Sequence, residues 1–114
     1  MNLVFEGGGI KGLCYIGALR YLESRGMKIN KCAGTSIGAI IASLVVAGYS
    51  SIELEQIVSS LDVDKLWPKR KKKLNNALNV IKNKAIYSMK FLEEQIRVLL
   101  KKRGIYTFKD LRCK

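Results

Sequence analysis

The spacing of apolar and polar positions divides the chain into short segments. Residues 2–6, NLVFE, are an apolar run that stops at glycines. A run of that length predicts a strand buried on both faces. Residues 7–12, GGGIKG, predict a loop. Over 13–25, Leu13, Ile16, Leu19 and Leu22 recur at near-helical spacing, and Gly26 stands where a helix cap belongs. Residues 28–34 predict a weaker strand. From 36 to 48 the chain is apolar almost all round, the pattern of a core helix. Ser50 and Glu53 have capping-box spacing and predict a helix through about residue 61. Residues 62–87 show no clean period. Within them, WPKRKKK at 67–73 holds the only proline and five basic residues, which predicts an exposed loop. LNNALNVIKNKAIY reads equally well as a short helix or an irregular segment. Ser88 predicts the N-cap of a helix over 89–103 that Gly104 ends. Thr107 and Asp110 repeat the capping-box spacing, so a single turn is expected there. Strand, glycine loop, helix, strand, helix is the order of an α/β fold with parallel strands joined by crossovers.

Composition and charge narrow the partners. The chain has 114 residues, room for one domain, and 48% of them are apolar. Its net charge is +12, unevenly spread. Residues 1–64 carry five basic against six acidic side chains, and residues 65–114 carry sixteen against three. Such a basic half suits an anionic surface, lipid or nucleic acid, or is simply a solvated lysine-rich face. Cys14, Cys32 and Cys113 are odd in number and show no C-x-x-C spacing, and histidine is absent. Zinc sites of the Cys/His kind are excluded, no metal is expected, and reduced thiols are the simplest account. The start of the chain shows no basic leader or cleavage pattern. The most apolar stretch, 37–49, is shorter than the ~20 residues of a membrane span. The expected location is intracellular, cytoplasmic or peripheral at membranes.

Two glycine motifs carry the candidate chemistry. Gly34, Thr35, Ser36, Ile37 and Gly38 spell G-x-S-x-G, the pattern that sets a nucleophilic serine on a sharp strand-to-helix turn. A serine hydroxyl needs a base beside it, and no histidine is present to serve. Gly7, Gly9 and Gly12 also satisfy the dinucleotide-binding fingerprint. That reading requires an acidic residue roughly 20 positions later, and 27–41 contains none. A phosphate loop fails for want of G-K-[S/T]. The remaining reading is an oxyanion hole, in which bare backbone N–H groups meet the charge that develops on an ester carbonyl, at about 3 kcal/mol per donor. Lys11 either adds positive charge there or is a surface lysine.

Together the motifs resemble the patatin-like phospholipases. That family opens on a strand, then G-G-G-x-[R/K]-G, a helix, a second strand and G-x-S-x-G. Glu6 stands where the family usually has aspartate. GTSIGAIIASLVVAGYS is similar to the family's elbow helix, and YTFKDL to its T-F-x-D-L element, so the resemblance runs over residues 2–111. It implies a three-layer α/β/α fold with a mainly parallel sheet, of which 1–114 form the N-terminal portion with a basic loop region at about 65–87. It implies a lipid acyl hydrolase that works with a Ser–Asp dyad and no histidine. Ser36 is then the nucleophile, and Gly7, Gly8, Gly9, Ile10, Lys11 and Gly12 form the oxyanion hole. The substrate is a phospholipid or other acyl lipid, and no cofactor is needed. The family's dyad aspartate lies in a D-G-[G/A] motif downstream of T-F-x-D-L, and residues 1–114 contain no Asp-Gly pair. Asp62 and Asp64 read as solvated and Asp110 as a cap, so the base is expected beyond Lys114. A Ser36–Lys11 pairing is the chemical alternative. The alternative function is a truncated, non-catalytic module that binds anionic lipid or a partner protein. Nucleic acid is disfavoured because aromatics are not interleaved with the basic residues. An α/β-hydrolase is disfavoured because its triad ends in histidine.

Overall fold

The computed structural model describes the backbone of residues 1–61 and 77–113. The basic run 67–73, Asp62 and Asp64 lie outside the described residues. Strands β1 (Asn2–Phe5) and β2 (Lys31–Gly34) pair in parallel, from Asn2 beside Lys31 to Phe5 beside Gly34. A short 3-10 helix (Gly9–Leu13) runs into α1 (Cys14–Ser24) and forms the crossover that a parallel pair requires. Helix α2 (Ile37–Val46) lies on the sheet, and α3 (Ser51–Ser60) packs on α1. Helix α4 (Ala77–Lys102) leads to a second 3-10 turn (Phe108–Cys113).

The core gathers Phe5 from the sheet, Ile16 and Leu19 from α1, Ile41, Ala42 and Leu44 from α2, and Leu54 from α3. Ala47, Tyr49 and Ile105 complete it. The last two arrive through glycine turns. Gly48 and Gly104 have φ +89° and +71°, the left-handed step that ends a helix and turns the next residue back onto it. Tyr49 N–H then bonds Leu44 O at 3.1 Å, and Ile105 N–H bonds Leu100 O at 3.0 Å. Tyr49 Oη also donates to Leu99 O at 2.8 Å, tying α4 to the α2–α3 junction. The Arg103 guanidinium sits 4.4 Å from the Tyr49 ring centroid and bonds Glu53.

Besides the 3-10 helix that forms from Gly9 within the expected 7–12 loop, two sequence expectations need correction. Among the described residues the first strand is covered on one face only. Phe5 is buried and Leu3 half-buried, whereas Val4 is 83% exposed. A four-residue apolar run cannot tell one covered face from two, because the helices decide that. The α/β class with parallel strands stands, and the layer expected on the second face is not among the described residues. The second correction concerns Ser88, which lies inside α4 and does not cap it. Residues 77–87 hold neither glycine nor proline, and an interior serine costs a helix only about half a kcal/mol. Nothing there stops the helix from beginning earlier.

The capping box at Ser50 is complete, with Glu53 N–H to Ser50 Oγ at 3.3 Å and Ser50 N–H to Glu53 Oε2 at 2.9 Å. A second clamp escaped the sequence. Glu23 on α1 accepts from Ser51 N–H at 2.9 Å and from Ser51 Oγ at 2.5 Å. Ser51 is 1% exposed, so without Glu23 two buried donors lose their acceptor. Glu23→Ala is expected to cost about 2 kcal/mol, read as a lower urea midpoint with an unchanged slope.

Two carboxyls are held below the usual carboxylate range. The Ser50 backbone N–H, with its hydroxyl and Arg103, does this for Glu53, and the Tyr106 and Thr107 backbone N–H groups do it for Asp110. A depressed folded value means that the unfolded chain binds protons first as pH falls. The contribution is whole at neutral pH, begins to fade near the ordinary value of about 4, and is lost below the folded values. The thermal midpoint should stay flat from neutral pH to about 5 and then fall. Asp110→Asn should flatten that fall.

Candidate active site

Strand β2 hands the chain to α2 through one strained residue. Thr35 N–H continues the ladder by bonding Phe5 O at 3.1 Å. Ser36 then takes φ +53°, ψ −125°, and it alone among the described non-glycine residues has positive φ. Such a conformation costs about 1–3 kcal/mol. The turn closes at once, with Gly38 N–H on Thr35 O and Ala39 N–H on Ser36 O, both at 2.9 Å. The Ser36 side chain is exposed.

The spacing of the two elbow glycines is steric. A Cβ on Gly34 would collide with the backbone carbonyl of Gly38 and with Ala39 N. A Cβ on Gly38 would collide with the carbonyls of Phe5 and Glu6 at the end of β1. Backbone lies on backbone at both places, which lets the start of α2 sit against both strand ends.

The 7–12 loop folds onto this elbow. A Cβ on Gly7 would stand 3.4 Å from Thr35 O and 3.5 Å from Ser36 Cβ. A Cβ on Gly12 would meet Ile37 Cγ2 at 2.7 Å and Cγ1 at 2.8 Å. The loop therefore touches the elbow on either side of Ser36. Gly9 has φ +57° and starts the 3-10 helix, in which Lys11 N–H bonds Gly8 O at 3.2 Å. No neighbour crowds Gly8 beyond Lys11 Cβ at 3.7 Å. Ile10 and Lys11 are exposed. Tyr15, which sequence reasoning passed over, fastens the loop's entry. Its hydroxyl donates to Glu6 O at 2.9 Å and its ring meets Phe5 edge-on at 5.2 Å. The signal was only an aromatic three residues beyond the last glycine.

Asp110 is committed elsewhere. Its Oδ2 accepts from Tyr106 N–H at 2.9 Å, Thr107 N–H at 2.7 Å and Thr107 Oγ1 at 3.1 Å. It caps the turn, as its spacing predicts. Burial pushes the Cys32 thiol up, away from reactive thiolate character. A cavity of about 250 Å³ opens between α1 and α3, lined by Leu13, Ile16, Gly17, Arg20, Glu55, Val58 and Ser59. None of these belongs to the glycine loop or the elbow. No helix among the described residues is long and apolar enough to cross a membrane.

The model of the patatin-like phospholipase family matches residues 3–112. The chain belongs to this family. Among patatin-like and other relatives, it is 36% identical over 112 residues to the uncharacterized protein YqhO of Bacillus subtilis, covering 95% of this chain and 38% of YqhO. It is 36% identical over 70 residues to protein R571 of Acanthamoeba polyphaga mimivirus, covering 57% and 23% of the two chains. The lysophospholipase NTE1 of Candida glabrata is 39% identical over 54 residues, covering 47% of this chain and 3% of that one. The chain thus spans about two fifths of the length of YqhO and less of the others. No solved structure matches it. Family membership and the lysophospholipase relatives support lipid hydrolysis as the family-level activity.

Proposed function

We propose that this chain supplies the nucleophile and the oxyanion hole of a lipid acyl hydrolase. The observation that carries the reading is the strained, exposed Ser36 with the glycine loop packed against it. Ser36 Oγ attacks the ester carbonyl carbon of a phospholipid or lysophospholipid, and its proton passes to a carboxylate. The carbonyl oxygen takes up the displaced electron pair. Backbone N–H groups of the 7–12 loop, with that of Ile37 at the start of α2, meet this charge. Collapse expels the alcohol, leaving an acyl ester on Ser36 that water then hydrolyses. The family resemblance assigns the carboxylate to a downstream aspartate of a D-G-[G/A] motif, and Asp110 is occupied as a cap. The basic second half attracts the protein to anionic membrane surfaces.

The engagement of Asp110 also favours a second reading, a non-catalytic patatin-like module that binds lipid or protein. An alkyl fluorophosphonate separates the two when applied to protein isolated from its source. An activated serine forms a stable adduct on the peptide carrying Ser36, and Ser36→Ala prevents it. Absence of any adduct, together with no release of fatty acid from lysophospholipid, would leave the module as the better account.

A further inference from the structure

We propose that the turn at 106–110, with the lysines at the end of α4, docks on the surface of an anionic phospholipid bilayer. The turn is stiff and aims apolar surface at solvent. Ile105 on one side is buried and Leu111 on the other packs against the core. Asp110 braces the interior by holding both the Tyr106 and Thr107 N–H groups, and its own N–H bonds Thr107 O at 3.2 Å. On this frame Tyr106 is 72% exposed and Phe108 is 90% exposed. A rigid turn cannot fold its aromatics back for shelter, so water meets nearly the whole Phe108 ring.

The charges around the aromatics select the partner. Lys101 and Lys102 are exposed, and the one acid in the turn, Asp110, is engaged by backbone donors. Protein interfaces favour aromatics but are depleted in lysine. A bilayer surface takes both at once. Aromatic rings settle at the headgroup level, and lysines reach phosphates while their stems lie along apolar surface. The proposal rests on the lipid-directed reading, and the charges around the aromatics support the same partner independently. It narrows the general attraction of the basic half to one named surface.

The test is sedimentation of the 114-residue chain with vesicles of phosphatidylcholine, alone or mixed with phosphatidylserine. Binding is expected on the mixed vesicles and not on phosphatidylcholine alone, and it should weaken as salt rises. Phe108→Ala should lower the partition coefficient about tenfold. Lys101→Gln with Lys102→Gln should lower it about thirtyfold. These side chains are exposed, so the variants should keep the circular dichroism spectrum and melting point of the parent. Val4→Thr, on the open sheet face, should bind as the parent does. Ser36→Ala should also bind normally, so docking and hydrolysis can fail separately. Full binding by Phe108→Ala would overturn the proposal, since the basic residues at 69–73 would then suffice. Association of copies in the absence of lipid that Phe108→Ala abolishes would also overturn it, making the turn a protein contact.

Discussion

Gly38→Ala should destabilise the protein by about 3–5 kcal/mol. Helix propensity argues the other way, because alanine is favoured over glycine inside a helix by about 1 kcal/mol. Sterics win here. The new methyl would enter the space of the Phe5 and Glu6 carbonyls, and neither can swing aside as a side chain would. Relief requires α2 to lift from the strand ends, which opens the contact between the helix and the sheet. A thermal midpoint lower by about 15 °C or more is expected, or no folded protein at all. Gly17→Ala is the control, since nothing lies within 4 Å of a Cβ there. That change should be neutral or slightly stabilising.

Ser36→Ala should remove ester hydrolysis by about 10⁴-fold or more in kcat in an active preparation, with KM little changed. Loss confined to KM would mean that Ser36 only helps to hold substrate. Folding at the same position should respond differently to two substitutions. Alanine keeps a Cβ at φ +53° and so keeps the strain. Ser36→Gly releases it, at some cost in unfolded-state entropy, and should raise stability by about 1 kcal/mol while activity is lost. Opposite signs for stability and activity at one residue would mark it as held under strain for its chemistry. Chemical denaturation of the parent and both variants, paired with a lysophospholipid assay, gives all these quantities.

Both glycine motifs, the existence of the four α-helices and the capping box at Ser50 were legible in the sequence, because each depends on neighbours a few residues apart. Gly26 and Gly104 likewise announced the ends of their helices, whereas the helix expected over 36–48 ends at Val46. What stayed hidden depends on residues far apart in the chain. The clamp from Glu23 to Ser51 spans 28 positions and the bond from Tyr49 to Leu99 spans 50. No local pattern encodes either. The exposure of Val4 was misread for the same reason, since the layer on a sheet face comes from elsewhere in the chain. Ser88 failed differently. A good capping residue is a helix start only when something before it breaks the helix, and residues 77–87 offer no break.

The margins of the two-stranded sheet bear on how the protein behaves in concentrated solution. Among the described residues β1 and β2 pair only with each other, so each keeps one margin of unanswered N–H and C=O groups. Such margins are templates on which another strand can polymerise. Asn2 and Lys31 at one end are polar and discourage it, but Val4 and Ala33 do not. Where no further strand covers these margins, high concentration invites copies of the chain to stack edge to edge. Because backbone hydrogen bonds carry such growth, added salt would not prevent it, and by screening mutual repulsion of the basic halves would hasten it.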